Sequence, residues 1–461
     1  MSTKRGAMVL FTRDLRIRDN QALTAAIREF DEVIPLFVLD QQLLAGSCGS
    51  PNRLAFLLES LRDLDSSLRE RGARLIVRRG DVVEEAMKLV AQCGLTAIHM
   101  SADFTPYAQQ RHRRLEAACE QSRVQLCLHP GVTVIAPGKI TPGAGDHYRV
   151  FTPYWRVWST LDPSPALQAP RRIAMARVAH PGTLPALRSL VDGTPSPQRH
   201  HGGESAGRAQ LERWLRHAGD YEALHDDLPA DGTSHLSPHL HFGCLSPRTV
   251  LTRAERSRAA GGFARQLCWR DFHHQVLAAH PELPSSDYRP RGDRWRRDKH
   301  STEAWKAGMT GYPIVDAGMR QLALEGFMHN RARLIVSSFL TKTLYIDWRT
   351  GAAHFARLLI DADVANNVGN WQWVAGTGND TRPNRVLNPI RQAHRFDPQG
   401  KYVRHYVPEL AGVKGRAVHE PWKLGAARRA LGYPWPLVDH EAGAAEFRAQ
   451  REGPPLHSPN A

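Results

Sequence analysis

Two carboxylates and two carboxamides fall within seven consecutive residues, Asp361-Ala362-Asp363-Val364-Ala365-Asn366-Asn367. Two indoles follow in Gly369-Asn370-Trp371-Gln372-Trp373. The run comes directly after the apolar stretch 355–360, so its polar groups should stand at a buried surface. Burying that many polar groups without partners costs several kcal/mol. A polar heteroaromatic ligand would satisfy them, with the indoles as stacking surface; a hydrogen-bonded loop closing the core would also do so. A second cluster, Thr233-Ser234-His235-Leu236-Ser237-Pro238, places hydroxyls at a turn entering a helix. Such a turn can bind an anion through unpaired amides, although a plain serine cap followed by proline is far commoner.

Further tryptophans, Trp269, Trp295, Trp305 and Trp348, could pack a helical core, stack bases or relay an electron, and spacing does not choose among these. The stretch 288–299 interleaves Arg289, Arg291, Arg294, Arg296, Arg297 and Lys299 with Tyr288 and Trp295. Arg382, Arg385, Arg391 and Arg395 recur beyond the Trp pair. Cations of this kind meet phosphates while aromatics receive an unstacked base; a solvated basic loop is the plainer alternative for any one arginine. The formal net charge of +15 attracts polyanions whatever the fold.

The elements that must position these residues divide the chain. Strand-like runs at 9–12, 33–39, 75–78, 97–100 and 124–128 alternate with helical spacing at 20–30, 53–70, 82–93 and 108–120, with Asp19 and Asp81 where caps are needed. This alternation predicts a doubly wound parallel sheet, a Rossmann-like α/β domain, without a GxGxxG or phosphate-loop glycine pattern. A proline-crowded connector follows, packed over the surface. Beyond it helical spacing dominates, with helices expected at 208–216, 248–259, 263–279, 315–325, 331–344 and 352–360, so the second domain should be all-α. The expected divisions are 5–136 for the α/β domain, 137–203 for the connector, 204–440 for the helical domain and 441–461 for a short tail. No apolar stretch is long enough to span a bilayer and the first residues lack a signal-peptide core, so a cytoplasmic location is expected. The six cysteines and 23 histidines show no metal-ligand spacing, and no metal is expected.

Taken together, these stretches resemble the photolyase/cryptochrome family, and among its members the microbial enzymes that split cyclobutane pyrimidine dimers. The resemblance is carried by Phe11-Thr12-Arg13-Asp14-Leu15-Arg16 with Asp19-Asn20, by Thr233–Pro238, and by Trp269-Arg270-Asp271-Phe272. It continues through Thr310-Gly311-Tyr312-Pro313-Ile314-Val315-Asp316, His329-Asn330-Arg331, Ile346-Asp347-Trp348-Arg349 and residues 361–378. It implies that the helical domain binds FAD, through Tyr221, Thr233, Ser234, His235, Leu236 and Ser237 for the ribityl-pyrophosphate part. Arg333, Asp361, Ala362 and Asp363 would lie beside the isoalloxazine ring and Asn367 at its N5. Trp371, Trp348 and Trp295 match the family's electron relay; Trp269 and Trp373 match its lesion-stacking pair. Gln266 and Asn330 would meet the damaged bases, with Arg331 reaching phosphates.

The implied activity is light-driven repair of pyrimidine dimers in DNA by electron transfer from excited, reduced FAD, in a monomeric enzyme. A second antenna chromophore in the α/β domain, a deazaflavin, a methenyl folate or another flavin, is implied without a choice among them. Gln266 stands where many relatives carry glutamate, and His225 where they commonly carry arginine. Glutamine cannot give a proton or bear charge, which leaves two alternatives: a cryptochrome-like blue-light photosensor, or repair of (6-4) photoproducts.

Overall fold

In the computed structural model, which describes residues 4–46, 49–162, 165–257 and 260–452, five parallel strands form one sheet in the order β3-β2-β1-β4-β5. The strands are β1 Gly6–Leu10, β2 Glu32–Asp40, β3 Ile76–Gly80, β4 Ala97–Ser101 and β5 Gln125–His129. Helices α1 Gln21–Glu29, α2 Gln41–Ala45, α3 Pro51–Arg69, α4 Val82–Cys93 and α5 Pro106–Gln121 alternate with them. Side chains on β1 point alternately to the two faces. Ala7 and Val9 join Leu23, Phe56 and Leu61 of α1 and α3, whereas Met8 and Leu10 join Ala86, Leu89 and Leu115 of α4 and α5. Both faces are therefore covered, as a parallel sheet requires. The expected doubly wound α/β domain is present.

The strand bounds differ by a few residues. β1 begins at Gly6 because both its edges are paired, Met8 standing opposite Ile34 on one side and Ile98 on the other. Asp81 caps α4, accepting from the amides of Val83 and Glu84 at 2.9 and 3.1 Å. Asp19 is not a cap: Asn20 takes that place for α1, and Asp19, at φ 47°, turns toward the second domain.

The connector is more ordered than its prolines suggest. It holds α6, Phe151–Trp158, whose Phe151, Tyr154 and Trp158 are buried. It then runs beside the sheet, where Val33 and Val77 donate to the carbonyls of Ala174 and Pro181 at 2.8 Å. The helical domain follows as α7 Glu204–Leu215, α8 Tyr221–Leu224, α9 Ser237–His241, α10 Pro247–Glu255, α11 Ala260–Ala279, α12 Lys299–Ala307 and α13 Pro313–Glu325. It continues with α14 Asn330–Ser338, α15 Trp348–Leu358, α16 Val364–Ala375, α17 Pro389–Phe396, α18 Lys401–Tyr406 and α19 His440–Glu452. The helix expected to reach Leu344 loosens into a π-helical turn, Phe339–Thr343. The helix expected to reach Ala259 ends earlier, and Ala259 itself lies outside the described residues, as do Cys48 and 453–461. Much of the expected tail is α19, with Phe447 fully buried. No helix among the described residues is long and apolar enough to cross a membrane.

Candidate functional site: a polar cavity walled by tryptophans

A cavity of about 420 Å³ opens into the helical domain, lined by α8, the 233–237 segment, α11, the start of α14 and the 361–373 run. Its volume falls in the range of small-molecule sites. Tyr221, Thr233, Ser234, His235, Leu236, Ser237, Arg333, Asp361 and Asp363 line it together with Gln266, Trp269, Asn330 and Trp373. Asn367 and Trp371 line an adjoining chamber of about 70 Å³ that shares Asn330, Arg333 and Asp361. Ala362 is buried beside both and lines neither.

Asp361 sits at the centre. One of its oxygens accepts from the Ser237 hydroxyl and from Arg333 Nη2, the latter at 2.8 Å. Burial alone would raise this carboxyl, but Arg333 and Ser237 outweigh it and hold the group below the usual carboxylate range. The other oxygen, Oδ1, is buried without a hydrogen-bond partner, as is the Thr233 hydroxyl. Buried polar atoms of this kind are normally satisfied, so the cavity wall calls for a polar ligand.

Asp363 caps α16, accepting from the Asn366 amide at 2.9 Å and its side chain at 2.7 Å. Arg13, from the loop after β1, donates to the same carboxylate, and His274 Nε2 lies 3.5 Å from it. Burial raises this carboxyl too; His274, Arg13 and His241 overcome it and keep it well below the ordinary value. Arg13 also reaches Asp103 at 3.3 Å and the carbonyl of His241 at 3.1 Å, so it ties the sheet's carboxyl edge to the cavity. Arg13, His241 and His274 are site residues that sequence reasoning missed. Only their fold-given proximity to Asp363 reveals them.

The 233–237 segment differs from expectation. It does not offer a helix N-terminus of useful length, because α9 has five residues and its start lacks a side-chain cap. Instead His235 takes a left-handed backbone, φ 53°, and its ring is held on three sides. It stacks on Phe327 at 4.6 Å, with Asp231 at 2.6 Å from Nε2 and His200 at 3.2 Å from Nδ1. A non-glycine residue kept in this region marks a locally over-determined loop. Tyr221 packs edge-on against His225, 5.2 Å away, so His225 backs the cavity wall rather than lining it.

Toward the opening, Trp269 stacks face to face on Phe151 of α6, 3.7 Å between centroids, which fixes its ring. Gln266 and Asn330 are exposed to the cavity, and Trp373 closes the far side. Arg331 is not free. Its guanidinium pairs with Asp226 and lies over Phe396 at 4.3 Å, beside a crevice behind Trp373. Trp371 is buried, edge-on to Phe355 at 5.0 Å, and its ring presses on Gly351 one turn beyond Trp348. Trp348 donates to Asp287 at 2.8 Å, and the partly exposed Trp295 leans on Tyr345 at 5.1 Å. Two carboxylates within the sequence stretches serve structure rather than the cavity. Asp271 holds the end of the α/β domain through the amides of Val134 and Ile135, and the connector through Trp158 Nε1. Asp316 accepts from Thr310, Gly311 and Tyr433.

An α/β domain docked on a helical domain, with a polar cavity walled by tryptophans in the latter, defines a two-domain protein built to hold a polar, stacking ligand. Residues 7–171 match the family described as DNA photolyase, and residues 263–452 match the FAD binding domain of DNA photolyase. The chain is 52% identical over 451 residues to a deoxyribodipyrimidine photo-lyase of Streptomyces griseus, covering 96% of this chain and 99% of that one. It superposes on a class III photolyase from Agrobacterium tumefaciens with a TM-score of 0.91 at 33% identity, covering 98% of each chain. A cryptochrome from Synechocystis sp. PCC6803 superposes at 0.89 with 30% identity, covering 97% of this chain and 100% of that one. The chain belongs to the photolyase/cryptochrome family and carries its FAD-binding domain. The orphaned Asp361 oxygen and Thr233 hydroxyl fit that cofactor.

Proposed function

We propose that this protein repairs cyclobutane pyrimidine dimers in DNA in a light-driven reaction with reduced FAD. The observation that carries the reading is the continuity of one cavity. Its wall passes from the Tyr221, Thr233, Arg333 and Asp361 set to Gln266, Trp269, Asn330 and Trp373 without interruption. A ligand held by the first set is thereby next to one stacked on the second.

Bound FAD supplies the light-excited electron. Tyr221 and the 233–237 segment bind the cofactor, and the Arg333–Asp361 pair orients it. Asn367 donates one amide hydrogen to the carbonyl of Ala352 at 3.0 Å, which orients the carboxamide beside the adjoining chamber with its oxygen and second hydrogen available to a ligand. Trp269, immobilised by Phe151, offers a rigid face to an extruded base, and Trp373 the opposing wall. Extrusion costs least at a damaged, poorly stacked step. Gln266 and Asn330 present donors and acceptors to base edges. Trp295, Trp348 and Trp371 run from a partly exposed ring to a buried one and would carry electrons inward to recharge the cofactor. The reading takes the protein to act as a cytoplasmic monomer. It also gives the α/β domain an antenna, a deazaflavin, a methenyl folate or another flavin, at the carboxyl edge of the sheet between β1 and β4, where Asp14, Ser101 and Asp103 gather.

Gln266 favours a second reading, a photosensor or a (6-4) repair enzyme, because an amide at that rim cannot become a charged acid or give a proton. Illumination of the reduced protein with oligonucleotides carrying either lesion separates these. Loss of the cyclobutane dimer in light and not in darkness is expected. An unchanged dimer, with flavin bound and photoreducible, overturns the repair reading and leaves the sensor; loss of the (6-4) product alone reassigns the lesion.

A further inference from the structure

Two exposed cationic loops lie together, residues 287–298 between α11 and α12 and residues 376–388 between α16 and α17, the latter helping to line the crevice behind Trp373. At their inner ends they are joined directly: the Arg289 amide donates to the carbonyl of Thr377 at 2.7 Å, and Arg291 Nε to that of Gly376 at 3.3 Å. Elsewhere both are held from behind by α19. Arg451 Nε and Nη2 donate to the two oxygens of Asp293 at 2.6 and 2.7 Å, with the two side chains 3% and 1% exposed. The same guanidinium donates to the carbonyl of Ala375 at 2.9 Å, where the second loop begins. Where that loop ends, Asn388 donates to Glu441 at 2.9 Å.

Between helix and loop stands Lys342, on the π-helical turn. Its ammonium is buried, donates to the carbonyls of Pro383 and Arg385 at 2.7 Å each, and lies 5.3 Å from the ring of Phe447 on α19. The carboxylates of both loops are engaged away from the side chains of the loop arginines: in the first, Asp287 accepts from Trp348 and Arg349 and Asp298 caps α12 through Ser301. Asp293 is taken by Arg451. Asp380 is buried, accepts from the Arg382 amide at 2.8 Å and shares a crevice with Lys342. Left exposed on the loops are Arg294, Arg297, Arg382 and Arg385, none of which has an acidic partner among the described residues. An unsequestered Asp293 would compete for its neighbouring arginines and cancel their charge.

We propose that α19 and Lys342 form a brace that fixes the spacing of the two loops and keeps their arginines unpaired, so that both engage one phosphate backbone. Arg451, Phe447 and Lys342 are positioning residues and need not touch the polyanion. The proposal rests on the DNA-binding reading above, and names which part of the molecule sets the phosphate register.

The test is equilibrium binding of a plain and a dimer-containing duplex to the flavin-loaded protein across a salt series, for wild type, Arg451→Met and Arg451→Lys. Each positioned phosphate contact contributes about one unit to the slope of log affinity against log salt. For Arg451→Met we expect affinity for both duplexes to fall about tenfold near 0.1 M salt and the slope to become shallower by about one to two. Arg451→Lys should recover part of both. The flavin absorbance should not change. If Arg451→Met does not fold, Lys342→Met is read in the same way. A role in packing alone would lower the unfolding midpoint and leave the slope at its wild-type value, and that result overturns the brace. A wild-type protein without salt-dependent affinity for either duplex overturns the DNA reading itself, and the brace with it.

Discussion

Asp363 illustrates how a single carboxylate is held by groups that no local pattern could reveal. Its ionised form is favoured by His274 and His241 from two helices and by Arg13 from the other domain. Because the folded value is depressed, the contribution to stability is complete above the ordinary carboxylate value, about 3.9, and is lost as pH falls through the folded value. Asp363→Asn should therefore destabilise the protein most from about pH 5 upward, with the difference from wild type shrinking toward zero below about pH 4. Denaturant titrations at several pH values measure this, and an equal difference at low and neutral pH refutes it. The 361–373 run was legible because its polar residues are consecutive and follow an apolar stretch. Arg13 was not, since 350 positions separate it from Asp363. The same holds for Arg331, whose partner Asp226 is 105 positions away.

Elements with strong periodicity were read well and those with mixed signals were not. The leucines of α3 announce a helix, and the alternation of strands and helices gave the sheet its class. In α6 the prolines on either side masked Phe151, Tyr154, Trp155 and Trp158, whose helical spacing was available in the sequence. α19 was missed because its composition is largely polar. Its burial depends on Phe447 and on Gly443, which lies against the Thr343 carbonyl. A comparable close approach joins α15 to α16, where a Cβ on Gly351 would stand 2.1 Å from Cη2 of Trp371. Neither a helix backbone nor a fully packed indole yields easily, so overpacking should cost roughly 1–3 kcal/mol. Gly351→Ala is expected to lower the unfolding free energy in a denaturant titration by that amount without altering the helical content. Wild-type stability in this variant would show that the α15–α16 contact is loose.

At the scale of the whole molecule, the two domains are joined through the turn after β1 rather than through the connector alone. Arg16 donates to the carbonyl of Gly243 at 2.9 Å, and Glu204 accepts from the Ile17 amide at 2.8 Å. Asp19 is the densest junction. It accepts from Arg248, from the Ser246 hydroxyl, from Thr249 at 3.2 Å and from the Leu167 amide at 3.0 Å, so both domains and the connector meet on one carboxylate. Its side chain is 1% exposed and that of Arg248 10%, so the charges compensate each other away from water. Removing one member of a buried pair strands the other, at a cost of about 3–5 kcal/mol. Asp19→Ala should lose about that much and also split the unfolding endotherm, since the same residue links the domains. Asp19→Asn should lose less, because asparagine tolerates the left-handed backbone at φ 47° and keeps an acceptor for Leu167. Calorimetry of the two variants decides the matter: a single transition at the wild-type midpoint for Asp19→Ala, or an asparagine variant less stable than the alanine one, would show that the domains are coupled elsewhere.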